Sequence, residues 1–238
     1  MQANALDQTF LRETNLSAVL RLIQAQAPLS RAQLAVATGL NKSTVSSLVD
    51  ELIERHLVHE IGVNSAGMGR PATLLEIDPH GGYIIGLELG VDFVSVGIAD
   101  FSGSLVWQRK EDADPIQGQA SMLALSLRLV KDAITVGKKK KYRFLGMGLA
   151  TPGTVDLKEG MLIFAPNLHW KNVHFRKIFS KAIKFKVHVE NDANAAAIGE
   201  HLFGSARYLR DFLFVFAGVG IGGGLFLNGD LYRGKNGY

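Results

Sequence analysis

Apolar residues recur at helical spacing near the amino terminus and predict three short helices, at residues 16–25, 31–37 and 42–55. The third helix shows the pattern most clearly. Its apolar residues occupy positions i, i+3, i+4, i+7 and i+8, namely Val45, Leu48, Val49, Leu52 and Ile53. The opposite face carries lysine and hydroxyl side chains. One face of this helix therefore belongs to a core, and the other is available for contacts.

Residues at the predicted helix ends support this interpretation. Ser30 and Gln33 have the spacing of a capping box, which favours a helix start. Gly39 suits the left-handed residue that ends the second helix, and Asn41 can cap the third. Two helices joined by a tight glycine turn are typical of a helix-turn-helix, whose second helix enters the major groove of DNA. A plain three-helix bundle with an incidental serine face is the alternative.

The segment after these helices predicts a wing. The stretches "LVHEIG" and "TLLEID" resemble two short strands joined by the glycine-rich tip "VNSAGMGRPA". Arg70 at that tip suits a narrow A·T-rich minor groove, whose negative potential attracts a guanidinium. The pattern thus predicts a winged helix-turn-helix that binds an inverted-repeat operator as a dimer. Its candidate DNA contacts are Arg31, Lys42, Ser43, Thr44, Ser46, Ser47 and Arg70.

The rest of the chain has the pattern of a mixed α/β domain. Three apolar runs, "GYIIGLELG", "FVSVGIADF" and "GSLVWQRK", predict an antiparallel meander, and a helix is expected at residues 119–136. The short strand "VHVEN" brings Asn191 and Asp192 to its carboxyl end, before an alanine-rich helix. Ligands of α/β folds bind at such strand ends. From its position alone, Asp192 is as well explained as a helix cap.

A glycine-rich stretch near the carboxyl terminus has two interpretations. The sequence "FVFAGVGIGGG", residues 214–224, passes from an apolar strand into a run of glycines. Such a turn can direct backbone amides at a phosphate. A twisted hairpin that requires small residues explains it equally well, because a lone glycine-rich loop is a weak signal.

Composition limits the function classes. The 238 residues are 47% hydrophobic, but the longest apolar run, at residues 212–217, is far shorter than the ~20 residues of a membrane span. We therefore expect a cytoplasmic protein with no membrane partner. The sequence lacks cysteine, so it has no thiolate metal site, and no metal or cofactor is expected within this chain. The net charge is +4, but residues 1–80 hold six Lys/Arg against eight Asp/Glu, so the basic excess lies in residues 81–238. Its densest block, Lys138 to Lys141, is interpreted as a solvated loop rather than a DNA-binding patch.

The motifs together resemble one family. The helix-turn-helix, the "GRP" wing, "GMGLATPGTVD", "APNLHW", "VENDANAAAIGE" and "GVGIGGGLFLNGDLYRG" are similar in content and order to the ROK family of repressors, open reading frames and kinases. The similarity is greatest to its repressors of xylose and N-acetylglucosamine utilisation. It implies a winged helix-turn-helix at residues 1–80, followed by an actin-like, ribonuclease H-like sugar-kinase fold. The first lobe of that fold would be residues 81–190, and residues 191–238 would begin an incomplete second lobe.

The resemblance also assigns residue roles. Gly153, Asn167, Asn191 and Asp192 match positions that line the family's sugar pocket, and in a kinase Asp192 would be the base. Both phosphate-binding turns are altered. Val91 and Asp92 stand where kinases have glycine and threonine, and Val219 replaces another threonine. A carboxylate would repel phosphate oxygens at close range, so no catalytic residue is expected.

These observations predict a sugar-responsive transcriptional repressor that acts as a homodimer or higher homo-oligomer. Its partners are an inverted-repeat operator with A·T-rich flanks and a sugar effector. The alternative is an ATP-dependent ROK sugar kinase with an appended DNA-binding arm. The resemblance further implies that a longer protein continues into a segment with a structural zinc site, and that this chain alone aggregates or dimerises through its unfinished lobe.

Overall fold

The computed structural model describes residues 2–64 and 72–234, and the chain divides into two compact units, Met1–Gly82 and Tyr83–Tyr238. In the first unit, helix α1 (Gln2–Gln26), strand β1 (Leu29–Ser30), α2 (Arg31–Thr38) and α3 (Lys42–Glu54) precede β2 (Val58–Asn64) and β3 (Ala72–Ile77). The strands form an antiparallel sheet in the order β1-β3-β2. This arrangement confirms the predicted winged helix-turn-helix.

The core of the first unit is built from the apolar faces that the spacing predicts. Val45, Leu48, Val49 and Leu52 of α3 are almost completely buried, together with Leu16, Val19, Ile23, Leu34 and Leu75. The capping box of Ser30 and Gln33 is present, and Gly39 has the left-handed conformation at φ 71°. These local features explain why both helix boundaries were predictable from the sequence.

Helix α1 is much longer than predicted, since it begins at Gln2 instead of near residue 16. Its extension has few apolar residues but bears charges that pair with α3. The Arg12 Nε donates to Glu51 Oε2 at 2.9 Å, and Arg55 contacts both Glu51 and Glu13. These ion pairs join residues 39 and 42 positions apart and hold Arg12 and Glu13 against α3. Contacts between residues so far apart in sequence are not visible in the hydrophobic spacing.

The second unit contains eleven strands and three helices within the described residues. They are β4 (Tyr83–Leu89), β5 (Phe93–Asp100), β6 (Leu105–Asp112), α4 (Gly118–Lys139), β7 (Phe144–Thr151), β8 (Thr154–Asp156), β9 (Met161–Ala165), β10 (Trp170–Val173), α5 (Phe175–Ser180), β11 (Val187–Asn191), α6 (Asp192–Phe203), β12 (Phe212–Ala217), β13 (Ile221–Leu227) and β14 (Asp230–Leu231). The central sheet has the order β11-β7-β4-β5-β6. Strands β4, β5 and β6 form the predicted antiparallel meander, whereas β7 and β11 run parallel to β4.

Helix α4 packs on one face of this sheet and encloses the main core. Ile85, Leu87, Val94, Val96 and Ile98 point into it from the meander, and Leu129, Val130 and Ala133 meet them from α4. Trp170 is also part of this core, with only 6% of its surface exposed. None of the described helices is long and apolar enough to cross a lipid bilayer.

The glycines of the carboxyl-terminal hairpin allow it to pack closely on α6. Strands β12 and β13 pair Phe214 with Gly224 and Phe216 with Gly222. A Cβ on Gly222 would lie 2.9 Å from the Ala193 Cβ, and one on Gly224 would overlap the Ala197 Cβ. The small residues of α6 therefore fit against small residues of β13, which supports the hairpin interpretation of this glycine run.

Candidate functional site

The carboxyl ends of parallel strands β7 and β11 meet at one edge of the central sheet. Asn191 pairs in register with Thr151, directly before the loop that holds Gly153. A cleft of about 700 Å³ opens at this edge, bounded on its other side by the β12–β13 hairpin. All four predicted sugar residues line it, namely Gly153, Asn167, Asn191 and Asp192.

Asn191 is fixed by three hydrogen bonds. Its Oδ1 accepts from the Asn194 backbone N–H at 3.0 Å and caps α6, while its Nδ2 donates to the Gly153 carbonyl and to Asp192 Oδ1, each at 3.0 Å. Asp192 Oδ1 also accepts from the Ala193 backbone N–H at 2.8 Å. The capping residue is thus Asn191, and the Asp192 carboxylate keeps acceptor capacity through its second oxygen.

Gly153 and Asn167 contribute to the cleft through backbone geometry. Gly153 has φ 99°, and a Cβ there would lie 2.8 Å from the Ala165 Cα, so only glycine fits. Asn167 is exposed in a short turn after β9, and its Nδ2 would be 3.1 Å from a Cβ placed on Gly220. The loop of Asn167 and the hairpin turn therefore approach each other closely across the cleft.

An ion pair lies next to Asn191 and was not predicted from the sequence. Glu190 Oε2 accepts from Arg233 Nη2 at 2.7 Å, and Glu190 Oε1 accepts from the Asn191 backbone N–H at 3.0 Å. The Arg233 Nη1 atom is buried and has no partner within residues 2–64 and 72–234. Arg233 follows β14, which pairs with β13 in the three-stranded sheet β12-β13-β14. The ion pair therefore connects this sheet to the end of β11. The partners are 43 residues apart, and no local pattern signals their contact.

Among the described residues, Glu88 is one of four carboxylate residues that line the cleft, with Asp92, Glu190 and Asp192. Desolvation raises the pKa of Glu88 above its ordinary value of 4.5, and the negative charge of Asp192 raises it further. The Lys110 ammonium opposes this by lowering the same pKa. The carboxylates and side-chain amides of the cleft together offer the hydrogen-bond acceptors and donors that a polyol requires.

In the two turns that the family resemblance predicts to correspond to phosphate-binding turns, a backbone amide is hydrogen-bonded within the turn. The Gly90 N–H donates to the Phe93 carbonyl at 2.9 Å, and the Gly218 N–H donates to the Gly220 carbonyl at 2.9 Å. Asp92 is exposed in the first turn, and Val219 is 70% exposed in the second. The first turn thus exposes a carboxylate, and the second exposes an apolar side chain.

In the first unit, the predicted DNA contacts of α3 lie along its solvent-facing side. Lys42, Ser43 and Ser47 are exposed, and Thr44 and Ser46 are partly exposed. Asn41 caps the helix by accepting from the Thr44 N–H and from the Ser43 hydroxyl, each at 2.8 Å. Ser47 Oγ accepts from Arg12 Nη2 at 3.3 Å. The extension of α1 thus borders this face of α3.

Arg31 has a different environment from the other predicted contacts. Its Nη1 donates to Asp50 at 2.7 Å and to the Ser46 carbonyl at 3.3 Å, and its Nη2 donates to Glu60 at 3.2 Å. These bonds join α2, α3 and β2. Arg70 lies outside the described residues.

Comparisons with known proteins identify both units. A model of the ROK family matches residues 84–238, and a model of the MarR family matches residues 17–64. The first match covers more than half of the chain. The chain belongs to the ROK family. We refer to residues 83–238 below as the ROK unit.

Individual relatives agree with this assignment. The chain is 33% identical to the xylose repressor of Bacillus subtilis (strain 168) over 98% of its own length and 60% of the relative. It is 25% identical to the N-acetylglucosamine repressor of Escherichia coli O157:H7 over 99% of its own length and 58% of that protein. The chain therefore spans about three-fifths of the length of these curated relatives.

Solved structures lead to the same fold. A ROK family transcriptional regulator, a homologue of the E. coli MLC protein, superposes with a TM-score of 0.79 at 27% identity, covering 95% of this chain and 57% of that one. A ROK family glucokinase from Streptomyces griseus, in complex with glucose and AMPPNP, superposes with a TM-score of 0.57 at 29% identity. That match covers 66% of this chain and 48% of the kinase. Together these results confirm the predicted fold class, a winged helix-turn-helix followed by a ROK sugar-kinase fold.

Proposed function

We propose that this chain forms the DNA-binding and part of the sugar-sensing region of a cytoplasmic transcriptional repressor of carbohydrate-utilisation genes. One observation carries the proposal: a winged helix-turn-helix and a ROK unit occur in one chain, and relatives that align with both units are sugar repressors. The protein acts as a homodimer or higher homo-oligomer on an inverted repeat, because two-fold symmetric helix-turn-helix proteins bind two-fold symmetric sites.

In the DNA-bound state, the exposed face of α3 lies in the major groove. Lys42, Ser43, Thr44, Ser46 and Ser47 provide its donors and acceptors, and Arg70 reaches an A·T-rich minor groove from the wing. Arg31 acts mainly as a positioning residue, since its guanidinium is engaged by Asp50 and Glu60. Its ion pairs fix α3 relative to the strand that leads into the wing.

The effector is a sugar that binds in the cleft of the ROK unit. Asp192 and Asn191 exchange hydrogen bonds with neighbouring hydroxyls of the sugar. Gly153 supports Asn191 from the adjoining loop, and Asn167 also lines the cleft. Sugar binding lowers operator affinity through a coupling free energy, typically ~1–3 kcal/mol.

A kinase is the second candidate, because ROK kinases share the fold and Asp192 could serve as a base. The chemistry of both turns disfavours it. Asp92 and Val219 offer no hydroxyl to a phosphate, and the Gly90 and Gly218 amides are bonded within their own turns.

Two assays test the proposal. The operator is first selected from a random duplex pool with the purified protein, and a panel of pentoses, hexoses and amino sugars is then titrated into the complex. We expect one sugar to weaken operator binding about 5–150-fold and Asp192→Asn to abolish this response without changing operator affinity. Sugar-dependent ATP consumption that disappears in Asp192→Asn would establish the kinase instead.

Replacing Arg70 by alanine tests the wing. We expect operator binding to weaken by on the order of 1–3 kcal/mol, with the loss concentrated on operators flanked by A·T tracts. An equal loss on G·C-flanked operators would contradict minor-groove recognition.

A further inference from the structure

Two lysine-rich segments of the ROK unit form a basic surface. This surface is separate from the cleft and from the predicted DNA contacts of α3. The first segment comprises the last turn of α4 and the loop after it, and the second precedes β11. Together they present Lys138, Lys139, Lys140, Lys141, Arg143, Lys181, Lys184 and Lys186, all of which are exposed. The sequence contains no Asp or Glu at residues 133–155 or 160–189. We call these eight residues the basic edge.

The topology of the central sheet brings the two segments together. Arg143 directly precedes β7, and Lys186 directly precedes β11. Because β7 and β11 are parallel neighbours, both segments lie at the amino-terminal edge of the sheet. The Lys186 carbonyl accepts from the Met147 N–H at 2.9 Å, and the Phe144 and Phe185 rings lie 5.6 Å apart. Residues 144–180 separate the two segments in the sequence, so only the fold reveals that they share one surface.

Aromatic residues anchor both segments and direct the charges outward. Tyr142 stacks on Tyr83 with ring centroids 3.7 Å apart, and Phe185 packs against the core. The basic residues alternate with these anchors, since Lys141 and Arg143 flank Tyr142, and Lys184 and Lys186 flank Phe185. In the described part of the chain, none of the seven lysines of the basic edge belongs to an ion pair. Their charges are therefore not neutralised by the ROK unit itself.

The basic edge is opposite the cleft along the strands. The cleft lies at the carboxyl ends of β7 and β11, and the basic edge lies at their amino ends. Strand β4 is parallel to β7 and begins at this same edge with Tyr83, the residue that follows the first unit. The chain thus passes from the winged helix-turn-helix into the ROK unit beside the basic edge.

We propose that the basic edge binds the phosphate backbone of duplex DNA next to the operator half-site. This departs from the interpretation of Lys138 to Lys141 as a solvated loop, because the fold adds the second lysine-rich segment beside them. This inference rests on the proposed function, because it requires that the first unit binds DNA. A short covalent connection gives the second contact a high effective concentration once α3 has bound. Duplex DNA is favoured over other polyanions for this reason. Lysines without ion-pair partners supply sequence-independent affinity by releasing counterions from the phosphates.

The test compares operator duplexes of two lengths. The short duplex ends at the footprint of the winged helix-turn-helix, and the long one continues into scrambled flanking sequence. Affinities are measured for the wild-type protein and for Lys141→Gln/Lys184→Gln/Lys186→Gln over a range of salt concentrations. The matched control is Lys131→Gln/Lys158→Gln/Lys171→Gln, which removes the same charge from exposed positions elsewhere on the ROK unit.

We expect the wild type and the control to bind the long duplex more tightly than the short one. The basic-edge variant should lose this gain, and its slope of log K against log salt should fall by up to about 3, since each phosphate contact contributes ~0.9. The charge-preserving variant Lys141→Arg/Lys184→Arg/Lys186→Arg should retain both the affinity gain on the long duplex and the wild-type salt slope. This result would show that the glutamine variant loses binding through its missing charge and not through misfolding.

The possible failures are distinguishable. If the wild type selects an operator but duplex length and the basic-edge substitutions have no effect, this inference is wrong and the proposed function stands. If the wild type shows no sequence preference on either duplex, the proposed function fails. A basic-edge variant that loses binding to single-stranded RNA or to anionic vesicles, with its duplex binding intact, would overturn the inference in favour of another polyanion.

Discussion

At the scale of single residues, Gly153 determines the conformation of the loop that receives Asn191. Its φ of 99° is costly for other residues, and an added Cβ would overlap the Phe164 carbonyl oxygen. We therefore expect Gly153→Ala to lower the free energy of unfolding by about 1–3 kcal/mol. Sugar affinity should fall as well, because the Gly153 carbonyl accepts from Asn191. Urea unfolding and sugar titration measure the two effects.

Gly148 provides the matched control on the adjoining strand. It lies in β7, and a Cβ there would meet no atom within 4 Å. Gly148→Ala should leave stability unchanged or raise it by up to ~1 kcal/mol, because alanine reduces the entropy of the unfolded chain. If Gly153→Ala and Gly148→Ala lower the free energy of unfolding equally, the positive φ of Gly153 does not restrict that position to glycine.

Glu88 makes a pH-dependent contribution to stability. Desolvation and Asp192 raise its pKa in the folded state above the ordinary 4.5, so the folded protein binds this proton more tightly than the unfolded chain. Stability is therefore lost as the pH rises from about 4.5 through the raised pKa. Glu88→Gln removes this loss and should stabilise the protein at pH 7, with the advantage vanishing toward pH 4.5. Urea midpoints across this pH range provide the measurement.

Lys110 supplies the corresponding control, because its charge lowers the pKa of Glu88. Lys110→Gln should enlarge the stability lost between pH 4.5 and 7, and the double variant with Glu88→Gln should lack that enlargement. If Lys110→Gln changes the pH dependence of stability equally in the wild-type and Glu88→Gln backgrounds, this effect does not arise from the Glu88 carboxylate.

At the scale of elements, the contact between α6 and β13 depends on small residues in both partners. Gly224→Ala would force its Cβ into that of Ala197, and we expect a cost of about 1–3 kcal/mol. Ala197→Gly alone should cost ~1 kcal/mol through helix propensity. Ala197→Gly makes room for the new Cβ of Gly224→Ala. The double variant should therefore lose ~0.5–3 kcal/mol less unfolding free energy than the sum of the two single variants.

Gly223 tests whether this coupling is specific. It neighbours Gly224, but its side of β13 faces away from α6, as the strand alternation requires. In a double-mutant cycle measured by denaturation, the effects of Gly223→Ala and Ala197→Gly on the free energy of unfolding should therefore be additive. A coupling as large as that of Gly224 would mean that the hairpin responds as a whole rather than through one contact.

At the scale of the whole molecule, one face of the β12–β13 hairpin is open and apolar. Leu213, Val215 and Ile221 are 65%, 60% and 88% exposed on this face. A contiguous apolar patch of this kind promotes association. We expect the 238-residue chain to self-associate at micromolar concentration and Val215→Thr/Ile221→Thr to reduce this association. Sedimentation at several concentrations measures the effect.

Ile116 serves as the control for that prediction. It is 93% exposed, in a separate short turn before α4. A single exposed apolar residue is ordinary on a protein surface, so Ile116→Thr should not change self-association. If both variants behave alike, the hairpin face is not the associating surface.

The features predictable from the sequence are those specified by nearby residues. The capping box of Ser30, the left-handed Gly39 and the apolar face of α3 act within one or two helical turns, so the helix-turn-helix could be placed to within a residue or two. Strand β11 and the start of α6 were predictable for the same reason, since an apolar alternation ends at Asn191 and an alanine-rich helix follows. The resemblance of the motifs to the ROK family then supplied the fold.

Tertiary structure decided which distant residues meet. Parallel pairing of β7 with β11 placed Gly153 beside Asn191 and brought two lysine-rich segments to a single edge. The packing of the β12–β13–β14 sheet joined Arg233 to Glu190. Ion pairs likewise join Arg12 and Glu13 of α1 to α3. Capping and hydrophobic periodicity are local and can be recognised along the chain, whereas strand pairing and ion pairs between distant residues depend on how the chain folds back on itself.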